Sequence, residues 1–128
     1  MNLLLDSCTL IWLASEPARL SAAATAAIND PASVLHVSHA SLWEITLKHG
    51  AGKLALPDPP RQWWTEQMRR WALVELSLSA EALLRGSELP PHHKDPFDRV
   101  ILAQAAMDGL QLVSPDGAFP AYGIPLIW

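Results

Sequence analysis

Short apolar runs and amphipathic stretches alternate along this chain from one end to the other. Leu3-Leu4-Leu5 carries no polar alternation, the pattern of a strand buried on both faces by helices. It ends where Asp6 begins, because a carboxylate cannot continue a buried run without a partner. From Thr9 to Ala14 the spacing of Leu10, Ile11 and Leu13 is helical, and the stretch stops before Glu16-Pro17, since a residue preceding proline avoids the helical region. Ser21 caps a second, alanine-rich helix that runs to Asn29 and is broken by Asn29-Asp30-Pro31; the two helices form a hairpin.

The alternation then repeats. Ser33 to Val37 reads as a strand, and Ser38 caps a helix through Lys48 toward Gly50. A turn and an extended segment, Ala51 to Pro57, lead to a helix from Arg61 to Trp71 whose preceding prolines fit its first turn. Leu73 to Leu76 is a third strand, followed by a helix from its Ser79 cap to about Gly86. After the loop Leu89 to Lys94, Asp95 suits an N-cap and Pro96 the first helical position, and Val100, Ile101, Leu102, Ala105 and Ala106 continue an apolar face until Gly109. Leu110 to Val113 is a fourth strand, Ser114-Pro115-Asp116-Gly117 a turn, and Ile124 to Trp128 a short strand whose proline suits an edge. Strands separated by helices predict an α/β domain with a parallel sheet, and no internal repeat or second domain interrupts residues 1–128.

Composition narrows the class. At 128 residues the chain is one domain, able to bury roughly two thirds of the surface its unfolded form exposes. Cys8 is the sole cysteine, which excludes an internal disulfide and a cysteine zinc cluster and fits a reducing cytoplasm. No apolar run approaches the roughly 18 residues of a membrane span, so a soluble cytoplasmic protein without a membrane partner is expected. Nine Lys and Arg against 13 Asp and Glu give a formal charge of −4, so no global positive field draws the chain to nucleic acid. Any such contact must be local or helped by a cation. The Arg61 to Trp71 segment interleaves arginines with Trp63, Trp64 and Trp71, a mixture used for single-stranded RNA, although an amphipathic helix with a solvated basic face has the same pattern.

Four acids carry the candidate chemistry. Asp6 and Asp116 follow strand ends, where open α/β sheets place their ligands. Asp98 falls in the first turn of its helix, and Glu44 lies between apolar neighbours on another. Each has an ordinary alternative: an ion pair with Lys48 for Glu44, the helix dipole for Asp98, turn geometry for Asp116. Together at one sheet edge they would repel one another unless a cation neutralised them. Oxygen-only ligands favour Mg²⁺ or Mn²⁺, ions that polarise phosphate, lower the pKa of an attacking water and, as a pair about 4 Å apart, stabilise a leaving oxygen.

The segments Leu4-Leu5-Asp6-Ser7, Val37-Ser38, Ser41-Leu42-Trp43-Glu44-Ile45 with Lys48, Gly52-Lys53-Leu54, Asp95-Pro96-Phe97-Asp98-Arg99 with Ala103-Gln104-Ala105, and Ser114-Pro115-Asp116 follow one another in an order that resembles PIN-domain proteins of the VapC toxin type. The resemblance implies a three-layer fold, a five-stranded parallel sheet flanked by helices. It implies a Mg²⁺- or Mn²⁺-dependent endoribonuclease acting as the toxin of a toxin–antitoxin pair, with a cognate antitoxin protein as partner and a homodimer as assembly. Asp6 and Asp98 would be the main metal ligands, Asp116 would complete the site directly or through water, and Glu44 would ligate the ion or orient water. Ser114 would hydrogen-bond a carboxylate or substrate phosphate, and Arg99 would contact a phosphate or carboxylate. Asp95 is kept as an N-cap.

Other aspartate-first enzymes fit less well. A haloacid-dehalogenase-type phosphatase needs a second aspartate at position 8, where the chain has Cys8, and a response-regulator receiver needs paired acids and a late lysine that have no counterpart. A PIN-like module that binds RNA or protein without cutting is the alternative from another class.

Overall fold

A computed structural model describes residues 1–128. Five strands, β1 (Asn2–Leu5), β2 (Val34–Ser38), β3 (Val74–Leu76), β4 (Gln111–Val113) and β5 (Leu126–Ile127), form one sheet in the order β3-β2-β1-β4-β5. Every neighbouring pair is parallel. Six helices flank it: α1 (Ser7–Ser15), α2 (Ala22–Asn29), α3 (His39–Gly50), α4 (Pro60–Trp71), α5 (Ala80–Glu88) and α6 (Pro96–Asp108). The predicted α/β class and parallel five-stranded sheet are both observed, and none of the helices is long and apolar enough to cross a membrane.

β1 is the central strand, and its three leucines are fully buried. Successive strand side chains point to opposite faces, so Leu3 and Leu5 enter one apolar cluster and Leu4 the other. The first cluster joins them to Leu10 and Leu13 of α1, Ala24 and Ile28 of α2, and Trp63 and Trp64 of α4. The second is built from Leu4, Leu112, Phe119 and the Ile101, Leu102 and Ala105 face of α6. α3 contributes to both through Ile45 and Ala40.

Two local expectations shift. α1 starts at Ser7 rather than Thr9, because Asp6 is itself its N-cap: the carboxylate accepts the Thr9 amide and the strand passes into the helix with no intervening turn. The aromatic half of the α4 pattern turns inward, with Trp63 and Trp64 buried. Two of its three arginines are accounted for locally, since Arg69 pairs with Glu66 and Arg70 lies over the Trp71 ring. α4 is an amphipathic helix with a solvated basic face.

Candidate active site

The parallel register brings strand ends abreast. Leu5 pairs with Val113, so the next residues, Asp6 and Ser114, meet at the carboxyl edge of the sheet. Both are buried, and the Ser114 hydroxyl donates to Asp6 Oδ2 while the Thr9 amide donates to Oδ1 at 2.8 Å. Burial outweighs these donors and raises the Asp6 pKa above its ordinary value. Ser114 Oγ also accepts the Asp116 amide at 3.1 Å, tying the following turn to the same point.

Glu44 reaches this edge from α3. The Trp43 ring meets Phe97 edge-on at 5.4 Å, fixing α3 against the start of α6 and bringing Glu44 and Asp98 to one cavity. Glu44 is only 5% exposed. Its Oε2 accepts from Lys48 Nζ at 2.5 Å, whereas its Oε1 is buried without any hydrogen-bond partner. That hydrogen bond raises the Lys48 pKa and keeps the ammonium charged.

Asp98 is perturbed in the same direction as Asp6. Burial first, then the negative charges of Asp95, Glu44 and Asp6, push its pKa from 3.8 to about 7, with His93 acting in the opposite direction. Asp116 Oδ1 accepts the Ala118 amide at 2.8 Å, as turn aspartates do. Asp95 is the N-cap of α6, accepting the Phe97 amide at 2.8 Å and the Asp98 amide at 3.3 Å, yet it also lines the cavity.

Asp6, Glu44, Asp98 and Asp116 thus share one open cavity of about 440 Å³, with Asp95 as a fifth acid and Lys48 and Lys53 among its walls. The donor set is oxygen-rich and negatively charged, one buried carboxylate oxygen has no partner, and one aspartate is held near neutrality. Each of these features would be relieved by a hard divalent cation. Cys8 also borders the cavity, but burial, aided by Asp6, pushes its thiol to about 11, which leaves little thiolate for nucleophilic chemistry.

Arg99 departs from expectation. Its guanidinium donates to the carbonyls of Ser87, Leu89, Pro90 and His93 at 2.6–3.2 Å, so it clamps the loop between α5 and α6 instead of meeting a phosphate or carboxylate. Four carbonyl oxygens converging on one planar fork engage both of its terminal nitrogens, and Arg99 is not among the walls of the acidic cavity. The residue that sequence reasoning passed over is His93, in the same loop. Its Nε2 lies 2.7 Å from Asp116 Oδ2 and 3.1 Å from Asp98 Oδ2. The histidine pair ahead of Asp95 was the available signal, but nothing local aims it at Asp116, which lies 23 residues further on.

The PIN domain family matches residues 3–125. Ribonuclease VapC22 of Mycobacterium tuberculosis is 34% identical over 117 residues, covering 90% of this chain and 87% of that protein. Among solved structures, VapBC2 from Rickettsia felis bound to a DNA fragment from their promoter superposes with a TM-score of 0.70 at 14% identity, over 98% of this chain and 97% of that one. A toxin–antitoxin complex from Klebsiella pneumoniae gives a TM-score of 0.60 at 22% identity, over 98% and 95% of the two chains. At such identities these two likenesses are of fold alone. The family match over nearly the whole chain and the ribonuclease relative agree with the acid-lined sheet edge, and the chain belongs to the PIN-domain family.

Proposed function

We propose that this protein is a metal-dependent endoribonuclease that hydrolyses RNA phosphodiesters in the cytoplasm as the toxin of a toxin–antitoxin pair. The observation that carries the reading is the convergence of Asp6, Glu44, Asp98 and Asp116 on one cavity at the carboxyl edge of the sheet. Support comes also from the ribonuclease relative and from solved neighbours that are toxin–antitoxin complexes.

Asp6 and Asp98 are the main ligands for Mg²⁺ or Mn²⁺, with Asp116 completing the set and the unpartnered Glu44 Oε1 available to ligate or to orient a water. Such an ion, when bound, polarises the phosphate and lowers the pKa of an attacking water. The chain's own residues prepare the site. Ser114 and the Thr9 amide hold the Asp6 carboxylate in one rotamer, and Lys48 holds Glu44 from the side away from its free oxygen. Lys48 and Lys53 at the cavity supply the local positive charge that a protein of net charge −4 otherwise lacks for an RNA backbone. A cognate antitoxin protein and a second copy of the chain complete the proposed partners.

Cleavage of a labelled mixed RNA pool tests the reading, with Mg²⁺, with Mn²⁺ and with EDTA, and with Asp6→Asn beside the native protein. Metal-dependent cutting lost in folded Asp6→Asn is expected. RNA binding without cutting under any metal condition would replace the nuclease with a non-cleaving PIN-like module.

A further inference from the structure

His93 Nε2 lies within hydrogen-bond distance of the carboxylates of two of the four acids, and its geometry defines what it can do there. The Asp95 backbone N–H donates to His93 Nδ1 at 3.0 Å. An amide nitrogen can only donate, so Nδ1 is the bare ring nitrogen and Nε2 carries the proton. That proton faces Asp116 Oδ2 at 2.7 Å and Asp98 Oδ2 at 3.1 Å. His93 is therefore a donor to the two carboxylates, and it cannot offer Nε2 as a metal ligand without giving up the Asp95 amide. The imidazole is not among the residues that line the cavity, and it packs against the Phe119 ring at 5.6 Å.

We propose that His93 is a positioning residue of the acidic centre: its Nε2–H spans Asp98 and Asp116 and sets both carboxylates for the cation. The two acids come from separate places, one from the first turn of α6 and the other from the turn after β4, and the imidazole is the side chain recorded in contact with both. The loop that carries it is fixed independently. Its own amide donates to the Tyr122 hydroxyl at 2.8 Å and its carbonyl accepts from Arg99 at 3.0 Å. Both are backbone bonds, so they survive replacement of the side chain. Groups that orient metal ligands in this manner change metal affinity roughly 10- to 100-fold when removed.

This inference rests on the divalent-cation reading of the site, and the experiment separates the two. Mn²⁺ binding is titrated calorimetrically for the native protein, His93→Phe, which keeps a ring against Phe119 but has no donor, and His93→Gln, whose amide puts an N–H where Nε2–H stood. Thermal melting of each metal-free protein accompanies the titrations. Expected is a loss of about tenfold or more in Mn²⁺ affinity for His93→Phe, substantial recovery in His93→Gln, and similar melting temperatures for the two variants. Equal affinity in native and Phe proteins, or equal loss in Phe and Gln, overturns the positioning role. In the metal-free native protein, imidazole nitrogen shifts should place the proton on Nε2; a proton on Nδ1 overturns it without reference to any metal. A native protein of that same tautomer that binds no Mn²⁺ would overturn the cation reading and, with it, the cation that His93 is proposed to serve.

Discussion

Asp98 concentrates the electrostatics of the site in one side chain. Its pKa of about 7 lies above the ordinary 3.8 because burial and three neighbouring acids penalise its charge. The native state then holds a proton that the unfolded chain has released, so the unfolded state binds fewer protons between about pH 4 and 7 and stability falls as pH rises through that window. In EDTA, the melting temperature of the native protein should decline from pH 4 to 8 more steeply than that of Asp98→Asn. The substituted protein should be the more stable of the two at pH 8. Parallel melting curves across the range would show that Asp98 ionises freely and that its neighbours do not burden it.

At the scale of elements, the loop between α5 and α6 places His93, and Arg99 holds that loop. Its guanidinium gathers four backbone carbonyls from Ser87 to His93, a set that water would have to replace. Arg99→Ala should destabilise the protein by about 2 kcal/mol, as expected for losing hydrogen bonds to a charged donor. Amide exchange should accelerate in residues 89 to 94, while β1 and β4 stay protected; an unchanged exchange rate in the loop would refute the clamp. Caps and periodicity predicted most elements correctly: Ser21, Ser38 and Ser79 accept amides at helix starts, and Gly109 ends α6 with φ 64°. The start of α1 was not legible, because a carboxylate after a buried strand looks like a terminator until the helix it caps is seen. The direction of Trp63 and Trp64 was not legible either, since basic and aromatic residues at helical spacing describe a binding face and a buried face equally well.

For the whole molecule, a cation held by these acids as proposed would make folding and cation binding one equilibrium. A ligand that binds only the native state stabilises it by about 2.7 kcal/mol at one hundred times its dissociation constant. Saturating Mn²⁺ at pH 7.5 should therefore raise the melting temperature by several degrees. The rise should vanish in Asp6→Asn and Asp98→Asn, and an equal rise in all three would place the ion elsewhere. The −4 net charge adds to this dependence, because it makes the metal-free centre one further concentration of negative charge in an already acidic chain.

Local order determined which residues become strands and helices, and hence the α/β class, because hydrophobic period and capping act within a few residues of one another. The four acids could be proposed as candidates from the positions of Asp6 and Asp116 after strands, of Asp98 in the first turn of a helix and of Glu44 between apolar neighbours on another, and from the order of motifs shared with PIN-domain proteins. Only tertiary structure decided how each acid is held. Ser114 meets Asp6 across 108 residues because β1 and β4 pair in parallel register, and the Glu44 oxygen is left unpartnered because α3 packs against α6. His93 and Arg99 changed meaning for the same reason. The partners of a loop side chain are chosen by which segments the sheet brings side by side, and that pairing is set by burial of the whole core rather than by any neighbour in the chain.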